Sequence, residues 1–416
     1  MSEFSRRAFV ASVGAVSGVG LLGGSCAAEP AAQRYVTSSG APDWPAVRAA
    51  YRLDPNVKNL GLFYLASNPK PVRDAIERYS ALIDANPLSI NSPPAGTSAE
   101  SALAGFIGGV SGEIALVQNT TIGLGLVYNG LVVKPGQEFL ITEHDHFVHN
   151  GAARLAAEKR GATVRQISLF TNSATATVDE VTSKLRAAIT AKTRVVGTTW
   201  VQSSSGVRMP VEAMAAVVAA ANQGRTEADR CLLVVDGVHG LAAVDADAAR
   251  LGADFFVAGT HKWLGGPRGT GLMWVKSTAR QHLRPMASTF TSNPLTPGGF
   301  VAYEHRWAVP AAVAFQQEIG RSAAAGRITE LSTRLKDGLA GIPGVTLQTP
   351  RSASMSAGIT CFEKSGVSNG AIVEALRAKG ILITTASHRI GYARIGTGLP
   401  NTPEEVDAAL AAIRAV

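Results

Sequence analysis

Two strand-like segments of this 416-residue chain end in residues that can do chemistry. The apolar run Leu232–Asp236 ends in a carboxylate, and His239 follows three residues later. The next apolar run, Phe255–Ala258, leads to Lys262, and a Gly-rich turn at 265–269 follows that lysine. In parallel α/β sheets, functional side chains collect at the carboxyl ends of the strands. We therefore expect a carboxylate, an imidazole and a primary amine to meet at one sheet edge.

This set of groups suits one cofactor, pyridoxal phosphate (PLP). PLP needs a lysine amine for covalent attachment, a carboxylate that keeps its pyridine nitrogen protonated, and donors for its phosphate. Lys262 and Asp236 are candidates for the first two. Either residue alone would be interpreted as a surface charge or a helix cap, but their combination beside a Gly-rich turn indicates a PLP site.

The segment 232–275 resembles the class V aminotransferases of PLP fold type I, which include cysteine desulfurases and isopenicillin N epimerase-like proteins. The resemblance extends over most of residues 45–416. It implies an α/β fold with a mostly parallel seven-stranded sheet in a large domain, followed by a small C-terminal α+β domain. It also implies that Lys262 carries the Schiff base and that Asp236 is the partner of the pyridinium nitrogen.

The same resemblance implies further contacts to the cofactor. His239 would lie near the ring hydroxyl. The stretch Gln118–Gly123 resembles the family's phosphate loop, in which hydroxyl groups and backbone N–H groups at the start of a helix bind the anion. The implied phosphate ligands are Thr120, Thr121, His261 and, as a weaker candidate, Thr260.

Two more stretches resemble the family's pattern. Thr142–His146 follows a strand, where the family places a histidine or aromatic residue flat against the cofactor ring, and His146 matches that position. Tyr392–Thr397 resembles the C-terminal signature in which an arginine binds the substrate α-carboxylate. A guanidinium suits that task because it pairs with a carboxylate through two hydrogen bonds. Arg394 therefore implies a small amino-acid-like substrate.

The chain also departs from the family's pattern. Cysteine desulfurases need a mobile cysteine shortly before this arginine, and the segment 385–391 contains none. Because we expect Cys231 and Cys361 to be buried, we predict that the protein is not a cysteine desulfurase. The family often has a threonine that reaches the phosphate of the partner subunit, and here Arg306 or Arg268 is a candidate to replace it.

The resemblance implies an enzyme that acts at Cα of an amino acid or amino-acid-derived substrate through an external aldimine, as an aminotransferase or an epimerase-like enzyme. A lyase or an oxidative decarboxylase that tailors a secondary metabolite would share that first step and is an alternative. A non-catalytic PLP- or amino-acid-binding protein is the alternative from a different class. Family members are usually dimeric, which implies a homodimer.

Elements of alternating type must position these residues. Apolar β-branched runs alternate with amphipathic helical patterns, which indicates an α/β fold whose mostly parallel sheet is buried on both faces. We assign residues 42–309 to a large PLP-binding domain. In an alternative interpretation, the N-terminal segment of this range packs on the small domain. Residues 310–416 would form a linking helix and the small C-terminal domain, with one long helix predicted over Pro310–Leu339.

The N-terminus resembles a twin-arginine (Tat) export signal. Arg6 and Arg7 precede a mildly hydrophobic run that is too short and too Gly-rich for a membrane span. We expect a signal peptide at 1–28, a linker at 29–41 and export by the Tat machinery. The expected location is periplasmic or at the cell surface, with lipid anchoring at Cys26 as an option.

Composition excludes several other classes of protein. Hydrophobic residues make up 46% of the chain, which is too many for an intrinsically disordered protein. The net charge of +8 comes from scattered Lys and Arg residues, so we expect no nucleic-acid partner. Three cysteines provide no disulfide framework. The histidines at 144, 146 and 149 follow no recognised metal-site spacing, and we expect no metal.

Overall fold

The computed structural model describes residues 35–386 and 391–416. The expected signal at 1–28, Cys26 and the first part of the expected linker lie outside the described residues. Tyr35, which belongs to that linker, is 1% exposed, and its ring packs edge-on against Phe315. Among the described residues, no helix is long and apolar enough to cross a membrane.

Helices and strands alternate along most of the described chain. The α-helices are α1 (Trp44–Ala49), α2 (Lys70–Ala85), α3 (Ala99–Ile107), α4 (Thr120–Gly130), α5 (Phe147–Arg160), α6 (Val178–Ala188), α7 (Val211–Ala221), α8 (Tyr303–Ile319), α9 (Arg321–Ala340), α10 (Asn369–Arg377) and α11 (Pro403–Arg414). The β-strands are β1 (Lys58–Asn59), β2 (Ile114–Val117), β3 (Glu138–Thr142), β4 (Thr163–Ile167), β5 (Thr193–Thr199), β6 (Leu232–Asp236), β7 (Phe255–Gly259), β8 (Gly271–Val275), β9 (Val345–Leu347), β10 (Ile359–Lys364), β11 (Ile381–Leu382), β12 (Thr384–Thr385) and β13 (Ala393–Gly396).

The main sheet has seven strands in the order β2-β8-β7-β6-β5-β3-β4. Strands β4, β3, β5, β6 and β7 run parallel to their neighbours in this order, and only the pairings of β8 with β7 and β2 are antiparallel. The predicted mostly parallel seven-stranded sheet is therefore confirmed. The carboxyl ends of β5 and β6 lie side by side, because Thr199 pairs with Asp236.

The sheet is buried on both faces. Along β6, Leu233 and Val235 belong to one hydrophobic cluster, whereas Leu232 and Val234 belong to another. Successive side chains of a strand point to opposite faces, so each face of the sheet has its own layer of helices. This double burial explains why β6 and β7 contain only apolar residues before their carboxyl ends.

A smaller antiparallel sheet follows in the C-terminal part, with the strand order β12-β13-β10-β9. Its core includes Leu335, Phe362 and Ile395. A segment from the N-terminal part joins it, because β1 pairs in parallel with β11 and the carbonyl of Leu60 accepts the backbone N–H of Gly396. The small C-terminal α+β unit that holds Arg394 is thus built from both ends of the described chain.

The single helix predicted over Pro310–Leu339 is wrong. The structure has two helices there, α8 and α9, and α8 begins earlier, at Tyr303. They are separated by Gly320, whose φ of 89° lies in the region that favours glycine. The Ala-rich pattern is continuous across this residue, so the break comes from the backbone conformation that Gly320 adopts.

Candidate active site

A cavity of about 230 Å³ lies at the carboxyl edge of the main sheet. It lies where parallel strands deliver side chains from several elements to one place. The structure brings seven of the predicted site residues together around this cavity, and two others, Thr260 and Arg394, do not line it. The seven are Thr120, Thr121, His146, Asp236, His239, His261 and Lys262.

Lys262 and His239 are in direct contact. Nζ of Lys262 lies 2.9 Å from Nε2 of His239, and the indole N–H of Trp263 donates to Nδ1 of the same imidazole at 3.3 Å. An indole nitrogen can only donate, so the neutral imidazole carries its hydrogen on Nε2. That N–H points at Lys262 Nζ, and the contact therefore requires the unprotonated amine.

The pKa of Lys262 agrees with this interpretation. Burial lowers the pKa of the amine to about 8, while the charge of Asp236 opposes the change and that of Arg394 adds to it. Burial, with help from the charge of Lys262, also holds the pKa of His239 well below its usual value. A fraction of Lys262 is thus a free nucleophile near neutral pH, and His239 stays neutral.

Asp236 lies at the end of β6, where it is 3% exposed. Its Oδ1 atom accepts the backbone N–H of Val238 at 3.1 Å. Burial raises the pKa of this carboxyl, and the charges of His149 and Lys262 act against the rise. A cationic ring nitrogen placed against Asp236 would favour the carboxylate form in the same way.

The start of helix α4 forms another wall of the cavity. Asn119 caps the helix through a hydrogen bond from the backbone N–H of Ile122 to its side chain, and Thr120 and Thr121 occupy the first turn. First-turn N–H groups have no partner within the helix, and they favour anions. The Thr120 hydroxyl also accepts the N–H of Gly259 at 2.8 Å, which joins this turn to the end of β7.

Gly259 has a packing role at this junction. A Cβ atom built there would lie 2.7 Å from the ring of His261 and 3.4 Å from Oγ1 of Thr120. A larger residue would therefore separate two of the predicted phosphate ligands. Burial lowers the pKa of His261 to about 4, with smaller contributions from the charges of Lys262 and Arg268, so that imidazole is neutral.

His146 is the N-cap residue of helix α5. Its Nδ1 atom accepts the backbone N–H of Val148 at 3.2 Å, so the neutral ring carries its hydrogen on Nε2. Burial lowers the pKa of His146 to about 4, and the charges of Lys262 and Arg394 add to the effect. A neutral ring in this position suits stacking against a flat cofactor, as predicted for this residue.

The structure does not bring Thr260 to the cavity. Its side chain is fully buried and hydrogen-bonds to the side chain of Thr270 and the carbonyl of Pro267. Thr260 therefore holds the Gly-rich turn that follows Lys262, and its hydroxyl is engaged within that turn.

Arg394 lies behind the cavity rather than on its surface. It is 5% exposed, and its guanidinium lies over the ring of Phe63 at 5.1 Å. Nε donates to Thr384 at 2.8 Å, and Nη1 donates to the carbonyl of Ser203, a residue that lines the cavity, at 3.1 Å. Its charge contributes to the lowered pKa of both His146 and Lys262, which places the guanidinium near both groups.

Arg268 and Arg306, the two candidates for the cross-subunit phosphate contact, differ in their surroundings. Arg268 is exposed, and its charge helps to lower the pKa of His261. Burial lowers the pKa of Arg306, and the charge of Glu100 opposes that change. Of the two, Arg268 thus acts electrostatically on a residue that lines the cavity.

Sequence reasoning missed several residues that support the site. Trp263 orients His239, and the only indication of this role in the sequence was its position next to Lys262. Asp145 joins the ends of β3 and β5, since its carboxylate accepts backbone N–H groups of Thr142 and Thr199 at 3.3 and 2.9 Å. Burial raises the pKa of Asp145 to about 6. A carboxylate that follows a strand by three residues was the available signal for this anchor.

The donors around the cavity fit PLP. The cavity offers one amine of lowered pKa, one buried carboxylate and the first turn of a helix flanked by hydroxyl groups, and these are the three requirements of that cofactor. Lys262, Asp236 and the residues at the start of α4 would hold it. When bound, PLP supplies an aldehyde for covalent attachment and a ring that withdraws electrons from Cα of the substrate. Among the described residues, no group of three or more metal-binding side chains is present.

The fold and the cavity define a PLP-dependent enzyme of fold type I, and comparison with known proteins gives the family. The family model "Aminotransferase class-V" matches residues 65–409. The chain therefore belongs to the class V aminotransferase family, and its cofactor is PLP.

Named relatives fall in two functional groups. The chain is 26% identical to isopenicillin N epimerase of Streptomyces clavuligerus over 344 residues, which cover 77% of this chain and 84% of that protein. It is 25% identical to a probable cysteine desulfurase of Vibrio cholerae over 411 residues, which cover 88% of this chain and 97% of the other.

Solved structures show the same fold. A C-DES mutant with glycine covalently linked to its PLP cofactor matches with a TM-score of 0.79 and 20% identity, covering 88% of this chain and 98% of that one. The cysteine desulfurase CsdA of Escherichia coli matches with a TM-score of 0.77 and 19% identity, covering 90% and 98%.

Proposed function

We propose that the protein is an exported PLP-dependent enzyme that acts at Cα of an amino acid or an amino-acid-derived substrate, as an aminotransferase or an epimerase-like enzyme. The observation that carries the proposal is the contact between Lys262 Nζ and His239 Nε2 in the cavity that Asp236 also lines. A buried amine of lowered pKa, in contact with a neutral imidazole, is partly unprotonated near neutral pH and is then able both to attack an aldehyde and to remove a proton.

Each residue of the site has a role in this proposal. Lys262 would hold the cofactor through its amine, and the same amine would accept the proton removed from Cα of the substrate. Asp236 would keep the cofactor's ring nitrogen protonated, and His146 would stack on the ring. Thr120, Thr121 and His261 would hold the phosphate, and His239, which contacts the amine of Lys262, would lie near the ring hydroxyl.

Substrate selection rests on Arg394. Its guanidinium is buried and anchored through Nε to Thr384, so the group is held in one orientation. Such an anchored fork favours a carboxylate, and it supports an amino acid or an amine-acid as the substrate. The same arrangement serves an aminotransferase, an epimerase and a lyase, and analysis of the products separates these reactions.

We further propose that the chain is not a cysteine desulfurase. Both cysteines among the described residues, Cys231 and Cys361, are fully buried, and burial raises the pKa of each thiol to about 12. Cys361 lies in the middle of β10, opposite Arg394 in the sheet register. A buried, protonated thiol inside a strand is poorly suited to attack a substrate sulfur.

The decisive experiment is absorption spectroscopy of the purified protein. We expect a visible absorption band from the lysine-bound cofactor, and its loss in Lys262→Ala. A control variant, Lys159→Ala, replaces a lysine in the last turn of α5 and should keep the band. A colourless wild-type protein that ignores added PLP would contradict the proposal, and incubation with single amino acids followed by product analysis would identify the reaction.

Export is the second part of the proposal. It is supported by Arg6 and Arg7 ahead of the Gly-rich apolar run. Replacing both arginines with lysine should leave the protein in the cytoplasmic fraction of expressing cells, whereas the unchanged chain should reach the periplasm or the cell surface. Equal export of both forms would contradict a twin-arginine route, and mass spectrometry of the exported chain would locate the cleavage site and any lipid on Cys26.

A homodimer is the third part. Large apolar side chains are exposed beside the cavity, including Tyr64 at 62% and Phe147 at 59%. Tyr64 lines the cavity, and Phe147 follows His146. Exposed apolar groups around a binding site favour coverage by another protein surface. Light scattering of the purified protein should give twice the mass of one chain, and a monomer at micromolar concentration would contradict this part.

A further inference from the structure

A hairpin of residues 200–209 follows the carboxyl end of β5 and forms part of the cavity wall. Val201 pairs with Arg208 in antiparallel fashion near its base. Its tip carries Ser203, which lines the cavity and whose carbonyl accepts a hydrogen bond from Nη1 of Arg394 at 3.1 Å. The position of the hairpin tip therefore helps to set the orientation of this guanidinium.

The segment 349–356, which lies between β9 and β10, contacts this hairpin. The hydroxyl of Thr349 donates to the carbonyl of Ser205 at 2.6 Å. The backbone N–H of Arg208 donates to the carbonyl of Met355 at 2.8 Å. These hydrogen bonds join the C-terminal part of the fold to the hairpin both at its tip and at its base.

Gly206 allows the close approach of the hairpin and the segment 349–356. Its φ of 73° lies in the region that favours glycine. A Cβ atom built there would lie within 2.5 Å of both Oγ1 of Thr349 and the carbonyl oxygen of Ile359. Because so little space separates them, a displacement of the segment would also move the hairpin.

The side chain of Lys336 in α9 holds the segment 349–356 from the interior of the protein. This lysine is only 1% exposed. Its Nζ atom donates to the carbonyls of Pro350 and Arg351 at 3.3 and 2.9 Å, and to the hydroxyl of Ser356 at 2.7 Å. One side chain thus fixes the segment at three points.

These contacts require the charged form of Lys336. The hydroxyl of Ser356 donates its own hydrogen to the carbonyl of Ser352 at 2.7 Å, so it accepts from Lys336. The other two partners are carbonyl oxygens, and the three acceptors match the three N–H groups of an ammonium. Burial lowers the pKa of Lys336 to about 8, while the charge of Asp337 opposes the change and that of Arg351 adds to it. The amine therefore stays mostly protonated near neutral pH.

An ammonium is an expensive group to bury at this position. An apolar side chain of similar length would fill the same space without the loss of hydration that a buried charge suffers. Such a side chain could not fix the backbone of residues 350–356, because it has no hydrogen to donate. The segment that the ammonium of Lys336 holds is the one that contacts the hairpin.

We propose that Lys336 is a positioning residue for substrate binding. Its ammonium holds the segment 349–356 against the hairpin, and the hairpin holds the guanidinium of Arg394 in the orientation that binds the substrate carboxylate. This inference rests on the proposed function, in which Arg394 is the carboxylate-binding group. Lys336 itself does not line the cavity and acts only through these contacts.

Amide hydrogen exchange of the cofactor-free protein tests the contact between Lys336 and the hairpin. Lys336→Met keeps the length of the side chain and removes its three donors. We expect the peptide 203–209, which contains the N–H groups of Gly206 and Arg208, to exchange at least about tenfold faster relative to the amides of β6. Unchanged relative exchange of this peptide would overturn the proposal.

Ligand binding to the PLP-loaded protein tests the effect on Arg394. Alanine and ethylamine differ only in the carboxylate, and the change in visible absorption during titration measures the affinity of each. We expect Lys336→Met to reduce the preference for alanine over ethylamine at least about fivefold, with the affinity for ethylamine and the absorption band of the bound cofactor unchanged. An unreduced preference would overturn the proposal, even in a less stable variant, because it would leave Lys336 with a structural role only.

Lys364 provides the matched control in the same part of the fold. Its Nζ atom also donates to two backbone carbonyls, those of Ile413 and Arg414 at the end of α11, at 2.8 and 3.3 Å. Lys364→Met should therefore keep both the slow exchange of the hairpin and the preference for alanine. Equal effects of Lys364→Met and Lys336→Met would overturn the proposal.

A milder variant keeps the proposal testable if Lys336→Met does not fold. Ser356→Ala removes one of the three acceptors and should change the exchange and the preference in the same direction, to a smaller extent. Wild-type behaviour of Ser356→Ala in both measurements would then refute the role of Lys336. Failure of the proposed function gives a different result, because the wild-type protein would then bind alanine and ethylamine equally or show no absorption band at all.

Discussion

The indole N–H of Trp263 donates a hydrogen bond to Nδ1 of His239 at 3.3 Å. The other nitrogen of that imidazole lies 2.9 Å from Nζ of Lys262. Trp263, the chain neighbour of Lys262, thus determines which nitrogen of His239 carries the hydrogen. The position of that hydrogen in turn favours the unprotonated form of Lys262. Trp263 is therefore a positioning residue for the proposed reaction.

Replacing Trp263 should change the protonation of Lys262. In Trp263→Phe, Nδ1 of His239 loses its donor, so Nε2 is free to accept a hydrogen bond from the protonated amine. We expect the pKa of Lys262 to rise, which would move the uptake of PLP by the cofactor-free protein to higher pH. Nitrogen NMR of labelled histidine should show His239 leaving its Nε2–H form.

A second tryptophan provides the control for that variant. Trp274 donates its indole N–H to Glu113 at 2.8 Å, away from the candidate active site. Trp274→Phe removes a comparable hydrogen bond and should leave the histidine spectrum and the pH profile unchanged. If Trp263→Phe behaves like Trp274→Phe, the positioning role of Trp263 is wrong.

The lowered pKa of Lys262 predicts a pH dependence for cofactor uptake. Only the unprotonated amine attacks an aldehyde, so the rate at which the cofactor-free protein takes up PLP should rise with pH around a midpoint of about 8. Asp236 raises the pKa of Lys262, and Asp236→Asn should therefore move the midpoint to lower pH. Stopped-flow absorption measures the rate, and a midpoint near the usual 10.5 would contradict the burial of the amine.

Replacement by alanine should have opposite effects on stability at Gly197 and at Gly151. A Cβ atom at Gly197 in β5 would lie 2.1 Å from Oη of Tyr128 and 2.9 Å from Nε2 of His149, two groups that hydrogen-bond to each other. Gly197→Ala should reduce the free energy of unfolding by about 1–3 kcal/mol, as overpacking does. Gly151 lies in α5 with open space around its Cα, and Gly151→Ala should raise that free energy by about 0.5–1 kcal/mol.

Denaturant unfolding of the cofactor-free protein measures both effects. An unchanged denaturation midpoint in Gly197→Ala would mean that Tyr128 and His149 can move apart without loss of stability. A destabilised Gly151→Ala would instead indicate a contact on that face of α5.

Arg394 should discriminate between carboxylate-bearing and simple amine ligands. Arg394→Lys keeps the charge but loses the fork and the contact from Nε to Thr384. We expect KM for amino acids to rise at least about tenfold, while the absorption of the bound cofactor is unchanged. Thr384→Val removes only the anchor and should have a smaller effect on KM, and amines that lack a carboxylate should bind equally well to all three proteins. An unchanged KM for amino acids in Arg394→Lys would show that Arg394 does not bind the substrate carboxylate.

Much of the candidate site could be predicted from local patterns. Asp236 and Lys262 each follow an apolar run, and parallel strands bring such positions to the same edge. Thr120 and Thr121 lie at the start of a helix, and Asn119, a typical N-cap residue, indicates that start. Local patterns failed where a distant contact decides the outcome. The hydroxyl of Thr260 is engaged by Thr270 and Pro267, and nothing next to Thr260 in the chain indicates that it turns away from the cavity.

The sequence by itself predicted the class of fold and the family, and it supplied the candidates for the amine, the carboxylate and the guanidinium. These depend on hydrophobic periodicity and on short motifs, which are local properties of the chain. Only the tertiary structure decided the lowered pKa of Lys262, the orientation of His239 and the position of Arg394 behind the cavity. Those properties depend on burial and on contacts between residues far apart in the chain, and neither can be obtained from local spacing.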